Sequence, residues 1–124
     1  MKPTVQAFLT EPRIATLTTL RPDGTPHVAP VRFTWDDMAR TARVLTVATS
    51  RKARNVATGG RVALCQPDGF RWVTLEGAAT LSADPDRVAT AARWYHRRYR
   101  CAPPAPSGRV VIEIAVDCIL TLNL

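Results

Sequence analysis

The first third of the chain carries two stretches whose apolar and β-branched residues indicate strands. Residues 13–20 are rich in Thr, Ile and Leu, and residues 27–35 follow them after a turn at 21–24 that contains Pro and Gly. Pro30 cannot donate a ladder hydrogen bond, which predicts a sheet edge or a bulge at that position. The pattern therefore predicts a β-hairpin.

Strand composition returns in four later stretches, at residues 43–48, 61–66, 70–81 and 109–122. The tight turn at 67–69 joins the second of these to the third, so we expect those two strands to pair in antiparallel fashion. Gly77 predicts a bulge or the close approach of another backbone.

Three stretches have helical features. Residues 4–9 form a short amphipathic segment, and residues 50–58 form a second one that stops before two glycines. Asp84 followed by Pro85 is the order of a helix cap and a first turn. We expect the helix that starts there to run to about Arg100, with Val88, Ala91, Ala92, Tyr95 and Tyr99 along one face.

The composition is that of a globular domain, with 46% hydrophobic and 22% charged residues in a length of 124. A chain of this length builds one hydrophobic core. We therefore expect a single domain over residues 1–124, mainly β (α+β), with six antiparallel strands in a barrel and short helices outside it. No stretch approaches the about 20 apolar residues of a membrane span, and the first residues lack an apolar signal core. We expect a cytoplasmic protein without membrane contact.

The charge is strongly basic, at +7, and all basic residues except Lys2 and Lys52 are arginine. Guanidinium groups suit phosphate and carboxylate, so this excess predicts an anionic partner. The sequence has no signature of a nucleic-acid-binding module and no regular series of stacking aromatics. We therefore expect a small molecule rather than a nucleic acid.

The cysteines do not indicate a metal site. Cys65, Cys101 and Cys118 are far apart, without a CxxC spacing, and the chain has only two histidines. We expect buried or idle thiols and no bound metal.

The stretch Ala48-Thr49-Ser50-Arg51-Lys52-Ala53-Arg54-Asn55-Val56 is the strongest candidate for chemistry. Ser50 is a good N-cap, which places Arg51 and Lys52 in the first turn of the predicted helix. Cations are unfavourable there because the start of a helix already carries partial positive charge. A hydroxyl, free N–H groups and two cations are what a phosphate group needs. The alternative is a solvated helix start with both cations turned outward.

A hairpin is followed along the chain by RVLTVATSRKARN and then by VALCQPDGFRWVTLEGAA. This order of segments resembles the pyridoxamine-phosphate-oxidase-like family of flavin-binding split β-barrels. More narrowly it is similar to the deazaflavin branch, whose members use coenzyme F-420. The resemblance covers nearly the whole chain. It implies a split barrel that binds its cofactor between the two subunits of a homodimer.

The resemblance also implies which residues hold the cofactor. Ser50, Arg51 and Lys52 match the segment that binds the phosphate, and Arg43 and Thr49 match the strand that leads to it. The backbone that lies along the cofactor ring is matched by Arg32, Phe33, Thr34 and Trp35. The strand pair that faces the cofactor across the dimer interface is matched by Gln66 and Trp72. For Trp72, a plain core position is an equal alternative.

The activity implied is an oxidoreductase that uses reduced coenzyme F-420 to transfer hydride to a planar, conjugated, anionic acceptor, such as a biliverdin-type tetrapyrrole. An FMN-dependent reductase or oxidase, and a cofactor-binding protein without turnover, remain alternatives. Pyridoxamine phosphate oxidases carry a basic C-terminal Arg-x-His-x-Arg segment that this sequence does not have. We therefore do not expect vitamin B6 oxidase activity. No catalytic acid or base stands out, which agrees with chemistry supplied by a cofactor.

Overall fold

The computed structural model describes all 124 residues. Its centre is a seven-stranded sheet in the order β2-β1-β5-β6-β7-β4-β3. The strands are β1 (Ala15–Leu20), β2 (Pro26–Val31), β3 (Thr34–Asp36), β4 (Thr41–Val47), β5 (Arg61–Asp68), β6 (Arg71–Ser82) and β7 (Arg109–Leu122). All pairings are antiparallel. The expected mainly β, antiparallel class is confirmed, with seven strands instead of six.

The additional strand arises because residues 27–35 do not form one continuous strand. The ladder between β1 and β2 ends at Val31, and β3 then pairs with β4 on the other side of the sheet. At the break, the Phe33 N–H donates to the Tyr99 hydroxyl instead of to a neighbouring strand. The prediction for Pro30 is confirmed, because β2 is an edge strand of the sheet.

Gly77 lies at a bulge in the long β6–β7 ladder, as predicted. The register between these strands shifts between Glu76 and Gly77. A Cβ atom at Gly77 would lie 2.0 Å from the backbone oxygen of Ala115. Only glycine permits this approach, which bends the sheet towards a barrel.

Three helices cover the barrel: α1 (Pro3–Thr10), α2 (Arg51–Asn55) and α3 (Pro85–Tyr99). Ser50 caps α2 by accepting a hydrogen bond from the Ala53 N–H at 3.2 Å. The prediction that this helix reaches residue 58 is wrong, because it ends at Asn55. Asp84 caps α3 as predicted, through a bond from the Asp86 N–H. None of these helices is long and apolar enough to cross a membrane.

The core fills the inside of the barrel. Its largest fully buried side chains include Phe8 from α1, Phe33 from the β2–β3 connection, and aliphatic residues from the strands such as Leu64 and Ile114. A smaller cluster joins Val88 and Ala91 of α3 to Val111 of β7. The helix is thereby fixed outside the sheet, and its last turns lie beside the β2–β3 connection.

Candidate cofactor-binding groove

A groove of about 350 Å³ runs between the end of β2, the end of β4, the start of α2 and the loop after α3. We call it the basic groove. It is lined by Pro30, Val31, Arg32, Leu45, Thr46, Val47, Lys52, Tyr95, Pro103, Pro104, Pro106 and Arg109. The set combines apolar walls with three cations and contains no carboxylate. It suits a flat, anionic ligand.

Lys52 stands at one end of the basic groove. It takes part in none of the ion pairs or side-chain hydrogen bonds of the structure and is partly buried. Beside it, the Ser50 hydroxyl receives a hydrogen bond from Thr46 Oγ1 at 3.0 Å while it caps α2. Arg51 makes only a long contact to Asn55, at 3.4 Å. The charge of Lys52 is therefore free to meet a phosphate.

Arg32 is held in place by two tyrosines of α3. Its guanidinium donates to the Tyr95 hydroxyl at 2.8 Å, which raises the pKa of Arg32 above its usual value. The same group lies 5.1 Å from the centre of the Tyr99 ring and 5.9 Å from that of Tyr95. No carboxylate pairs with it, so a second cation with a fixed direction lines the groove.

The connection that follows Arg32 is fastened to the end of α3. The Phe33 carbonyl accepts hydrogen bonds from Arg98 Nη1 at 2.7 Å and from the Tyr99 hydroxyl at 2.8 Å. Tyr99 is partly buried, and this burial raises the pKa of its phenol. Both backbone groups of Phe33 are thus occupied by α3 within the chain, while its ring lies in the core.

Several other residues that were expected near the cofactor lie outside the basic groove in the structure. Thr34 and Trp35 line a different cleft, on the other side of the end of α3. Thr49 is exposed next to α2. Trp72 is partly buried and pairs with Pro67 and Leu122 across its neighbouring strands.

Arg43 and Gln66 are directed into internal contacts. Arg43 pairs with Asp36 at 3.2 Å and Glu113 at 3.8 Å, so its charge is compensated. Gln66 is buried, donates to the Phe8 carbonyl at 2.8 Å and accepts from Arg98 at 2.6 Å. The structure therefore brings Arg32 and Lys52 together in one groove and places Ser50 beside Thr46 of its lining. Arg51, Arg43 and Gln66 are not among the lining residues.

Part of the lining of the groove comes from residues that the sequence pattern does not indicate. Arg109, at the start of β7, and the prolines at 103–106 reach the groove only because the chain after α3 folds back over it. The sequence predicts Tyr95 on one face of α3 with Val88 and Ala91, and does not indicate that its hydroxyl binds Arg32. The predicted face of α3 is aliphatic at Val88 and Ala91 but aromatic at Tyr95 and Tyr99. This change to tyrosine, which carries a hydroxyl, is the signal in the sequence for a polar contact at that end of the helix.

Comparisons with known proteins identify the family of the chain. The family model described as pyridoxamine 5'-phosphate oxidase matches residues 1–123. The chain is 46% identical over 114 residues to a biliverdin reductase from Mycobacterium tuberculosis (strain CDC 1551 / Oshkosh) that depends on reduced coenzyme F-420; the match covers 92% of this chain and 82% of that protein.

Two solved structures are also similar. One is a conserved hypothetical protein from Mycobacterium tuberculosis, with a TM-score of 0.81 and 25% identity over 98% of this chain and 84% of the other. The second is an F-420 reductase, with a TM-score of 0.76 and 28% identity over 93% and 94% of the two chains. The split-barrel family inferred from the sequence motifs is confirmed: the chain belongs to the pyridoxamine 5'-phosphate oxidase family.

Proposed function

We propose that this chain is an oxidoreductase that uses reduced coenzyme F-420 to reduce a planar, conjugated, anionic acceptor, of which a biliverdin-type tetrapyrrole is the first choice. The similarity to a biliverdin reductase that depends on reduced F-420, over 92% of this chain, supports both the cofactor and the acceptor class. The similarity to an F-420 reductase supports the cofactor independently.

The observation that carries the proposal is the group of three uncompensated cations in the basic groove. Arg32, Lys52 and Arg109 all line it, and none has a carboxylate partner. Cations without carboxylate partners give the groove a positive potential, which attracts an anion. We assign Lys52, together with Ser50 and Arg51, to the cofactor phosphate.

Coenzyme F-420 supplies a hydride when it is bound in its reduced form. The residues of this chain orient it: Pro30, Val31 and Leu45 provide apolar contact for a flat ring, and Arg32 is directed by its bond to Tyr95. No Asp, Glu or His lines the basic groove. We therefore assign to solvent the proton that accompanies the hydride.

The main alternative within this fold is an FMN-dependent reductase or oxidase. The same groove supports it, because FMN also combines a flat ring system with a phosphate. The basic surface favours F-420, which carries a phosphodiester and an oligoglutamate tail and therefore more negative charge than FMN. A protein that stores the cofactor without turnover is the third possibility, and it is distinguished by the absence of acceptor reduction.

We propose that the active form is a homodimer built on the outer face of the sheet. Cross-strand pairs place on that face two rows that run over five strands: Pro30, Thr16, Cys65, Thr74 and Leu120, and then Val28, Thr18, Ala63, Glu76 and Cys118. We call these rows, with Trp72 and Leu122, the outer face. Glu76 is the only charged residue of this set. Two copies of a chain of charge +7 bring few like charges together when they pack through such a face.

The outer face is continuous with the basic groove. Pro30 belongs to both, because it lines the groove and pairs with Thr16 across the ladder. Val28 is 58% exposed, and Leu120 and Leu122 are 46% and 44% exposed. A second copy seated there buries these side chains and extends one wall of the groove, which agrees with a contribution of Trp72 to the partner's site.

Charge placed on the outer face tests the dimer. We expect the parent protein to show twice its chain mass of 13.6 kDa in light scattering at micromolar concentration. Leu120→Asp should give the single-chain mass and weaker binding of F-420. The control is Met38→Asp, which makes the same kind of change at a side chain that is 96% exposed outside this face. A parent protein that is monomeric and still binds F-420 tightly contradicts the dimer.

We further propose that the protein works in the cytoplasm, since all three cysteines are free thiols in the structure, as is usual in a reducing compartment.

The proposed reaction is tested by mixing the protein, reduced F-420 and biliverdin. We expect consumption of the reduced cofactor in proportion to the reduced acceptor formed. Oxidation of the cofactor at the same rate with and without biliverdin would contradict the acceptor class, and turnover with reduced FMN alone would favour the alternative.

A further inference from the structure

A second cleft lies on the opposite side of the end of α3 from the basic groove. Its volume is about 390 Å³, and it is bounded by α1, by β3 and by the last turns of α3. It is lined by Leu9, Thr10, Pro12, Thr34, Trp35, Trp94, Arg97, Arg98 and Arg100. We call it the tryptophan cleft. It shares no lining residue with the basic groove.

The tryptophan cleft is rich in positive charge, and no carboxylate is among its lining residues. Arg97 and Arg100 are exposed and take part in no ion pair of the structure. Arg98 is partly buried, and its guanidinium binds only neutral oxygens: the carbonyls of Glu11 and Phe33 and the amide of Gln66. Burial lowers the pKa of Arg98, although a guanidinium remains protonated. Arg98 is partly desolvated, and the nearby Glu11 charge favours its protonated form without a direct ion pair, so the three arginines together give the cleft a positive potential that attracts an anion.

A second, independent feature is an unsatisfied hydroxyl. Thr34 is only 3% exposed, and its Oγ1 atom has no hydrogen-bond partner. Buried hydroxyl groups are nearly always bonded, because leaving one without a partner costs stability. Thr34 lines the tryptophan cleft while its Oγ1 atom is enclosed, so a rotation of this side chain would present the hydroxyl to an acceptor atom of a bound ligand.

The walls indicate the chemical class of the ligand. Two of the three tryptophans of the chain, Trp35 and Trp94, line the cleft together with Leu9 and Pro12. The Arg97 guanidinium lies 4.9 Å from the centre of the Trp94 ring, which holds the cation at the edge of an apolar surface. Stacking aromatics combined with arginines and one hydroxyl suit an aromatic ring that carries a carboxylate.

We propose that the tryptophan cleft is a binding site for a small aromatic carboxylate, separate from the cofactor groove. The ring packs between Trp35 and Trp94, and the carboxylate meets Arg97 and Arg98 and accepts the hydroxyl of Thr34. This inference does not depend on the redox reaction proposed above, because the two sites have no residue in common.

The experiment is a calorimetric titration of the full chain with naphthalene-2-carboxylate and with its neutral analogue naphthalene-2-carboxamide. We expect the acid to bind at least about ten times more tightly than the amide. Arg97→Gln should remove most of this preference. Thr34→Val keeps the shape of the side chain and should weaken the acid several-fold. Arg93→Gln is the matched control, because it removes an exposed charge from α3 outside the cleft and should leave both affinities unchanged.

Three outcomes overturn the proposal. The first is equal binding of the acid and the amide, and the second is no binding at millimolar concentration. The third is a preference for the acid that Lys52→Ala abolishes and Arg97→Gln does not, which would place the acid in the basic groove. Arg97 is exposed, so its variant reports on binding even if Thr34→Val does not fold.

Discussion

Replacing Lys52 by alanine is the sharpest perturbation of the proposed phosphate site. The side chain lines the basic groove and makes no ion pair or side-chain hydrogen bond within the chain, so little of the fold depends on it. A hydrogen bond between charged groups contributes about 1.5–3 kcal/mol. Its loss should therefore weaken F-420 binding about ten- to a hundredfold.

The assay is a titration of the parent and variant proteins with F-420, combined with thermal unfolding in the absence of cofactor. We expect the unfolding temperature to stay equal or to rise slightly, because a cation leaves the first turn of α2. Lys52→Met keeps most of the apolar stem and should lose affinity to a similar degree. Arg54→Ala is the control, since it removes an exposed charge from the same helix outside the groove. If Lys52→Ala binds F-420 as tightly as the parent does, the phosphate does not lie at this position.

Three further changes test other parts of the structure. Ser50→Ala removes the cap of α2 and should lower both stability, by about 1 kcal/mol, and F-420 affinity, as measured by urea unfolding and titration. Gly77→Ala would place a Cβ atom 2.0 Å from the Ala115 oxygen and should cost about 1–3 kcal/mol or more in thermal unfolding, with Ala78→Ser as the tolerated neighbour. The Arg71 guanidinium lowers the pKa of the Asp68 carboxyl, so this pair stabilises the fold above the ordinary carboxyl pKa and loses its effect as the pH falls through the lowered value. Asp68→Asn should therefore flatten the acid side of the stability profile, and an unchanged profile would contradict the pairing.

The sequence predicted features that depend on local stereochemistry. Pro30 indicated an edge because proline lacks the N–H that an inner strand needs, and β2 is an edge strand. Gly77 indicated a close backbone approach, which the bulge against β7 provides. The order Asp84-Pro85 located the start of α3. The position of Lys52 next to an N-cap serine also followed from local pattern, because neighbouring residues in a helix start lie together in space.

Features that depend on contacts between distant segments were not predictable. The split of β2 from β3 follows from hydrogen bonds of Tyr99 and Arg98 to Phe33, more than 60 residues away in the chain. Gln66 is drawn inwards because it satisfies both Arg98 and the Phe8 carbonyl. Arg43 is drawn away from the groove by its pairs with Asp36 and Glu113. A single arginine or glutamine in a strand gives no indication of which partner it will find.

Whether the basic groove holds coenzyme F-420 is decided by a parallel titration of the purified protein with F-420 and with FMN. We expect F-420 to bind at least about ten times more tightly, a difference of about 1.4 kcal/mol. We also expect Lys52→Ala to reduce this binding, while Arg97→Gln, in the separate tryptophan cleft, leaves the phosphate contact intact. Equal affinities for the two cofactors, or a preference for FMN, would show that the groove is not an F-420 site.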